Sequence, residues 1–447
     1  MMLFKLTIIY LFDMKNLSAL FLLLIIGCNY SPKHSSLEKS GGVPFINVEE
    51  NLDTNISSCF MLSEAATDVD FIKLEVTINS MIRDIRNVVI AEDYVLVDDY
   101  SEGVFRFSKD GKFLNKIGKK GNGPDEYLYV NQVILNEKNN EVLLFTGRGI
   151  KIYTIEGSYK RSLPNTNMED LFSGIENRIL FFDDYLFLND KLPVLLPKKD
   201  LWTFALVDST FTIQEKYFNP AFVGKESDII ANKALHIGWK NYWNEGFASV
   251  DFYDDTFKMC YYGGDTIYEF NKNTKEFLPV YIIFLGERPS FEISHQWIKD
   301  PIFFNYLWFS NFYDSETYLY LFLGKSDNSY IIRYDKTNGE LRSYKSESLI
   351  KEINLPGSPN FIIRNRTNSF ALINDISGGN PFEVEYKSNN GKYWVDVITP
   401  SDLKENINIA DLKRQSVKNE NSKAQLVNLI NESTEEDNPI LLISKLK

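Results

Sequence analysis

The sequence predicts an all-β protein, a six-bladed β-propeller of four-stranded antiparallel blades, ending in a short helical or mobile C-terminal segment and a final strand. Three observations carry this reading. A pattern of apolar strand, second strand and tight turn recurs six times over residues 71–399, about 55 residues per copy, which suits one four-stranded sheet plus its connections repeated around an axis. The 33 Phe, 25 Tyr and 6 Trp fall mostly in short runs with Val, Ile and Leu, a composition of strands rather than helices. At 447 residues the chain exceeds what a single core organises, so it needs repeats or several domains. A β-sandwich, or two unrelated β domains, is the alternative that such patterning leaves.

The copies follow one another in order. The first pairs Tyr94-Val95-Leu96-Val97 with Val104-Phe105-Arg106-Phe107, then turns at Lys109-Asp110-Gly111-Lys112 into Phe113 to Ile117; Asp-Gly supplies the positive φ of a tight hairpin. The second runs Val142 to Phe145, then Ile150 to Tyr153, turning at Glu156-Gly157; the third runs Tyr185 to Leu188, then Trp202 to Leu206. The fourth is Phe257 to Tyr262, then Ile267 to Phe270, and the fifth Tyr318 to Leu323, then Tyr330 to Tyr334 with the turn Thr337 to Glu340. A weaker sixth runs Phe370 to Ile373, then Phe382 to Tyr386, turning at Asn390-Gly391. Ser401 to Ser433 has helix-like spacing at Leu403, Ile407, Leu412, Leu426 and Ile430, and Ile440 to Leu446 reads as a strand. That strand, or the early strand Phe71 to Leu74, is expected to complete a blade and close the ring.

The N-terminus reads as an address. Leu17 to Ile26 is an apolar run behind Met14-Lys15-Asn16, too short to span a bilayer and suited to a signal-peptide core. It ends Ile25-Ile26-Gly27-Cys28, similar to a bacterial lipobox, in which the cysteine is lipidated and becomes the new N-terminus. Residues 1–27 are thus expected to be a signal peptide with Met14 as the true start, 28–50 a lipid-anchored flexible spacer, and 51–447 the propeller with its C-terminal helix and strand. The apolar run Leu6 to Phe12 offers another reading, a longer anchor. Lipidation at Cys28 would tether the chain to a cell-envelope membrane, on the periplasmic or surface side, without a membrane-embedded fold. Cys59 and Cys260 could then pair, although Cys260 lies in an apolar run suited to burial.

Ile117-Gly118, followed by Gly121-Asn122-Gly123-Pro124-Asp125-Glu126-Tyr127 after the first blade, together with the lipobox and the ending Glu436-Asp437-Asn438-Pro439 before an apolar strand, resembles the six-bladed NHL-like β-propeller lipoproteins of Bacteroidetes. The resemblance implies the same fold and an envelope location for most of the mature chain. It implies no reaction, because none is generally assigned to that family.

Composition narrows the function. A net charge of −13, with no basic cluster interleaved with aromatics, argues against nucleic acid. Three His and three Cys show no zinc-site spacing, so neither a metal nor another cofactor is expected.

Taking strands A to D outward from the axis, the A–B and C–D turns share one face, and the B–C loops and D–A crossings share the other. The acidic A–B turns at Glu92-Asp93, Asp183-Asp184, Asp254-Asp255 and Asp314 to Glu316 read as solvated turns. The other face gathers the irregular segments, including two long insertions, Asn219 to Gly246 and Gly286 to Pro301. Loops on a rigid scaffold are where binding is usually built. The binding candidates there are Asp125, Glu126, Arg148, Trp239, Tyr242, Trp243, Asp265, Trp297, Lys325 and Asp375; aromatic planes beside polar groups suit sugars or peptides. The Gly-rich stretch could offer backbone N–H groups to an anion, but it lacks the Lys-Ser/Thr of a phosphate loop and Pro124 removes a donor.

These features favour a lipid-anchored extracytoplasmic binding or scaffolding protein for glycans, peptides or another envelope protein. The alternative is a glycan hydrolase or lyase using Asp125, Glu126 or Asp265, with Arg148. No Gly-x-Ser-x-Gly elbow is present and no catalytic set stands out.

Overall fold

The computed structural model describes residues 39–40, 42–54, 56–57, 60–146, 149–164, 178–182, 185–189, 202–208, 212–225, 248–294, 301–326, 328–347, 371–388 and 390–447. Blade 1 is built from Ile85–Ile90, Tyr94–Asp99, Gly103–Ser108 and Phe113–Ile117, each hydrogen-bonded to the next. Blade 2 runs from Gln132–Asn136 to Tyr159–Pro164, blade 3 from Arg178–Phe182 to Ile213–Phe218, blade 4 from Ala248–Tyr253 to Glu276–Phe284, and blade 5 from Trp308–Asp314 to Leu341–Glu347. The strand pairs expected for the first five copies are the B and C strands of these blades.

Six apolar clusters, each shared by two neighbouring blades, close the ring. Leu96 and Val104 of blade 1 pack with Val133, Val142 and Leu144 of blade 2, while Val95, Val97, Phe105 and Phe107 pack on Val395, Leu441 and Ile443 of blade 6. Blades 2 and 3 meet through Phe145, Ile152 and Trp202, blades 3 and 4 through Phe187, Phe204 and Phe257, blades 4 and 5 through Ile267 and Leu321, and blades 5 and 6 through Tyr320 and Trp394. Because both faces of a blade are covered, a middle strand can be buried at every position, as over Tyr94–Asp99, Glu141–Thr146 and Trp202–Val207, without polar/apolar alternation.

Blade 6 differs from the reading of its sequence. Phe382–Glu383 pairs with Ala371–Leu372 in a separate two-stranded ladder, Tyr386–Lys387 is the innermost strand, and Asn390-Gly391 lies in the A–B turn. The B and C strands are Tyr393–Ile398 and Ile440–Leu446, and the outermost strand is Ala66–Lys73. The expected B strand lies outside the blade and the expected C strand reaches only its innermost strand, because the true B and C strands come later and are separated from each other by residues 399–439. Both terminal strands complete this blade, paired with each other from Ile440 opposite Lys73 to Leu446 opposite Ala66.

Residues 399–439 carry the helices Pro400–Asn406, Ile409–Arg414 and Glu420–Glu432. Asn419 caps the last, its side chain accepting from Asn421 N and Ser422 N, and buries Leu426 and Ile430 inward. Burial of such side chains contributes about 1.5–3 kcal/mol each. Ser422 Oγ donates to Val69 O and Asn419 Nδ2 to Asp68 Oδ1 at 2.9 Å, seating the helix on the outer strand of blade 6. The outer edges of blades 4 and 5 are covered too, by Val43–Asn47 and Ile56–Ser57, which add to them in parallel. Among the described residues, no helix is long and apolar enough to cross a membrane.

Candidate functional site

The Gly-rich crossing from blade 1 to blade 2 is built by its own side chains. Gly118 has φ 64°, and a Cβ there would lie 2.5 Å from the Tyr153 ring, so glycine is required. Tyr127 is buried, its hydroxyl donating to Ile117 O at 3.0 Å and accepting from Val104 N at 3.3 Å. Burial pushes its phenol up to about 12, so it remains a donor. From blade 2, Lys151 Nζ donates to Pro124 O at 2.5 Å and Tyr153 OH to Asp125 O at 2.9 Å. The crossing is therefore clamped from both blades.

The anion served by the glycine backbone is the chain's own Glu126. Its carboxylate accepts from Gly123 N at 3.0 Å and lies 3.3 Å from Lys119; these contacts hold its pKa below the usual carboxylate range. A Cβ on Gly121 would fall 1.9 Å from Glu126 Oε2. Glu126 thus shapes the turn, whereas the Asp125 side chain is exposed.

Between this crossing and the B–C turn of blade 1 lies a cleft of about 260 Å³, bordered by Ser101, Glu102, Lys116, Lys119 and Lys120, with Tyr127 at its base. Lys120 Nζ donates to Ser101 O at 2.8 Å and Tyr100 O at 3.1 Å; Lys116 lies 3.4 Å from Glu102. Beside the cleft, the Arg86 guanidinium sits over the Tyr100 ring at 5.2 Å and pairs with Asp98 at 2.9 Å. Burial pushes Asp98 up to about 6, with Arg86 opposing the shift. Asp99 Oδ1 and Oδ2 together accept from four backbone N–H groups, those of Arg83, Asp84, Ser101 and Glu102, tying the preceding crossing to this turn.

The remaining candidates among the described residues do not converge on one point. Asp265 is on the B–C loop of blade 4, across the ring from Asp125 and Glu126, where it accepts from Thr266 Oγ1 at 3.0 Å. Asp375 lies on the stretch leading into blade 6 rather than on a B–C loop, and its carboxylate is spent on Ser63 N and Oγ, 2.9 and 2.5 Å away. Lys325 is exposed at the end of its strand. Cys28, Cys59, Arg148, Trp239, Tyr242, Trp243 and Trp297 lie outside the described residues. Cys260 is a buried free thiol, pushed up to about 12 by burial. The described bases of the two long insertions meet: Phe222 and Phe291 pack edge to face at 6.1 Å, with Lys225 over the Phe291 ring.

The A–B end holds a group that the sequence reading missed. Asp314, expected as a solvated turn residue, is buried and pairs with Lys258 at 2.7 Å and Lys336 at 2.5 Å. Asp251 pairs with Lys387 at 2.6 Å and accepts from the Asp314 backbone N–H. The available signal was a charged residue inside an apolar strand, such as Lys258 between Phe257 and Met259.

The model of a family described as Domain of unknown function (DUF4934) matches residues 43–445. A solved structure of a Bacteroides fragilis protein described as exported is 18% identical with a TM-score of 0.56, covering 90% of this chain and 99% of that one; at that identity the likeness is one of fold. The extracellular domain of a hybrid two-component system from B. thetaiotaomicron is 11% identical with a TM-score of 0.34, covering 67% of this chain and 37% of that one. No curated protein matches.

Proposed function

The chain belongs to the DUF4934 family, and from that premise we propose that it is a lipid-anchored extracytoplasmic binding or scaffolding protein, taking glycans or peptides on the face of its B–C loops and D–A crossings. The observation that carries this reading is the cleft between the blade 1 turn and the clamped crossing. Around it the backbone is fixed by Asp99, Tyr127, Lys151 and Tyr153, and a preorganised scaffold lowers the ordering cost of binding. The contact between Phe222 and Phe291 supports treating the two long insertions as one neighbourhood on that face. The exported description of the B. fragilis neighbour supports an extracytoplasmic address, and the Ile25-Ile26-Gly27-Cys28 ending supports the tether.

Two measurements test this reading. In cells fed an alkyne fatty acid, the wild-type chain takes up label and fractionates with membranes, and Cys28→Ala does neither; labelling that survives the substitution overturns the anchor. Glycan and peptide arrays probed with the full chain carrying Cys28→Ser return a specific partner, and two blank arrays overturn the binding reading.

A further inference from the structure

We propose that the blade 1 cleft takes an acidic saccharide, one bearing uronate carboxylates or sulfate esters. The proposal rests on the binding reading above and names its ligand class. Lys116, Lys119 and Lys120 border the cleft, with Glu102 as the one carboxylate among its lining residues. Counting Glu126, which holds Lys119, three lining ammonium groups face two carboxylates, an excess of one, while Asp98 beside the cleft is paired with Arg86 and Asp99 is committed to four backbone N–H groups.

That excess belongs to a wider asymmetry. Residues 109–161 hold ten Lys and Arg against six Asp and Glu, a balance of +4 in a chain of −13. This basic run starts at the C–D turn of blade 1 and passes through the crossing into blade 2, so an anion meets a locally basic stretch there in an otherwise acidic protein. Lys119 is 81% exposed and Lys116 35%, so both ammonium groups can leave a carboxylate for a ligand at little cost; exposed pairs of this kind are weak.

The flanks favour a sugar over an acidic peptide. Tyr100 is 60% exposed on the Ser101 side, and Leu128 and Tyr129 are 43% and 48% exposed next to Tyr127. Exposed aromatic rings at Tyr100 and Tyr129, one and two residues from the lining residues Ser101 and Tyr127, suit a saccharide, whose ring stacks while its acid groups meet lysine. The Tyr100 ring is already fixed by Arg86, so stacking requires no new ordering of that side chain.

The test is calorimetric titration of the full chain carrying Cys28→Ser with oligogalacturonate, chondroitin sulfate oligosaccharide, neutral maltooligosaccharide and poly-glutamate. At low salt, one or both acidic saccharides bind, and which one does separates carboxylate from sulfate. Their affinity falls steeply as NaCl is raised. Lys119→Glu with Lys116→Gln weakens binding by about tenfold or more with an unchanged melting curve, and Lys404→Gln, on an exposed helix position, has no effect. Binding of the neutral saccharide as tightly as the acidic ones, binding of poly-glutamate with the saccharides silent, or acidic-saccharide binding that ignores the lysine substitutions overturns the proposal. The last outcome leaves the general binding reading standing, whereas blank glycan and peptide arrays remove both.

Discussion

The ammonium of Lys387, on the innermost strand of blade 6, lies 2.6 Å from the carboxylate of Asp251 on the innermost strand of blade 4. Lys387 Nζ also donates to the Asp314 carbonyl of blade 5 at 2.9 Å, so one side chain ties three blades together beside the axis. Both groups are nearly inaccessible, with side-chain exposures of 9% and 4%. Burial lowers the lysine pKa and pushes Asp251 up to about 6, each opposed by the partner's charge. Breaking such a pair from one side leaves an unpaired buried charge, at a cost of about 3–5 kcal/mol. Lys387→Met is expected to lose that much in chemical denaturation, and Lys387→Met with Asp251→Asn to recover most of it. A single variant within 1 kcal/mol of wild type on this scale would show that the tie adds nothing.

Asp396 makes a different prediction because, among the described residues, it has no cationic partner. It is buried in blade 6, accepts from Glu383 N at 3.1 Å, and is pushed up to about 8 by burial, with Glu385 and Glu383 adding to the shift. The sign follows from linkage: a carboxyl that binds its proton more tightly folded than unfolded stabilises fully below its unfolded pKa near ~4 and loses that contribution as pH rises through the folded value. From pH 4 to 8 the wild type should therefore lose up to several kcal/mol relative to Asp396→Asn, with ~5 kcal/mol as an upper bound. Denaturation curves of the two proteins at pH 5, 7 and 9 measure the difference. A constant gap across that range would mean that Asp396 is ionised throughout.

Neither of these two sites was legible in the sequence, whereas most of the blades were. Five blades could be found because strands buried on both faces read as unbroken apolar runs such as Tyr94 to Val97, and because Asp110-Gly111 and Asn338-Gly339 marked their turns. Blade 6 was misread because its four strands come from 66–73, 386–387, 393–398 and 440–446, and no local pattern joins segments so far apart. Glu126 could be picked out as an acid beside glycines, but its use on Gly123 N depends on how the turn folds back. The cleft lysines were passed over because each reads as an ordinary solvated charge. Lys116, Lys119 and Lys120 fall within five consecutive residues, but only the fold sets them around one opening with Ser101 and Glu102.

Tyr127→Phe isolates the crossing. The substitution removes a hydroxyl that serves Ile117 O and Val104 N, both buried in the core between blades 1 and 2. Leaving buried backbone groups without a partner costs about 1–3 kcal/mol, and the ring itself is retained. The expected result is a loss of that size in denaturation, with an unchanged far-UV spectrum. A loss below the error of the measurement would mean that water replaces the hydroxyl.

Deleting Asn438 to Lys447 should cost more than any point substitution. Ile440–Leu446 is an interior strand of blade 6, laddered to Tyr393–Ile398 on one side and Ala66–Lys73 on the other. Its loss separates the N-terminal strand from the rest of the blade and exposes the blade 1 face formed by Phe105 and Phe107. Ile440, Leu441, Leu442, Ile443 and Leu446 are all buried, and at about 1.5–3 kcal/mol each they amount to roughly the whole stability of a typical domain, ~5–15 kcal/mol. Asn438 is lost as well, and its side chain holds the crossing into blade 1 through Glu75 O, Ser80 O and Ile82 N. The truncated chain is therefore expected to show no cooperative thermal transition, whereas removal of Lys447 alone should leave one. A truncated protein that melts at the wild-type temperature would mean that the ring is closed by other contacts.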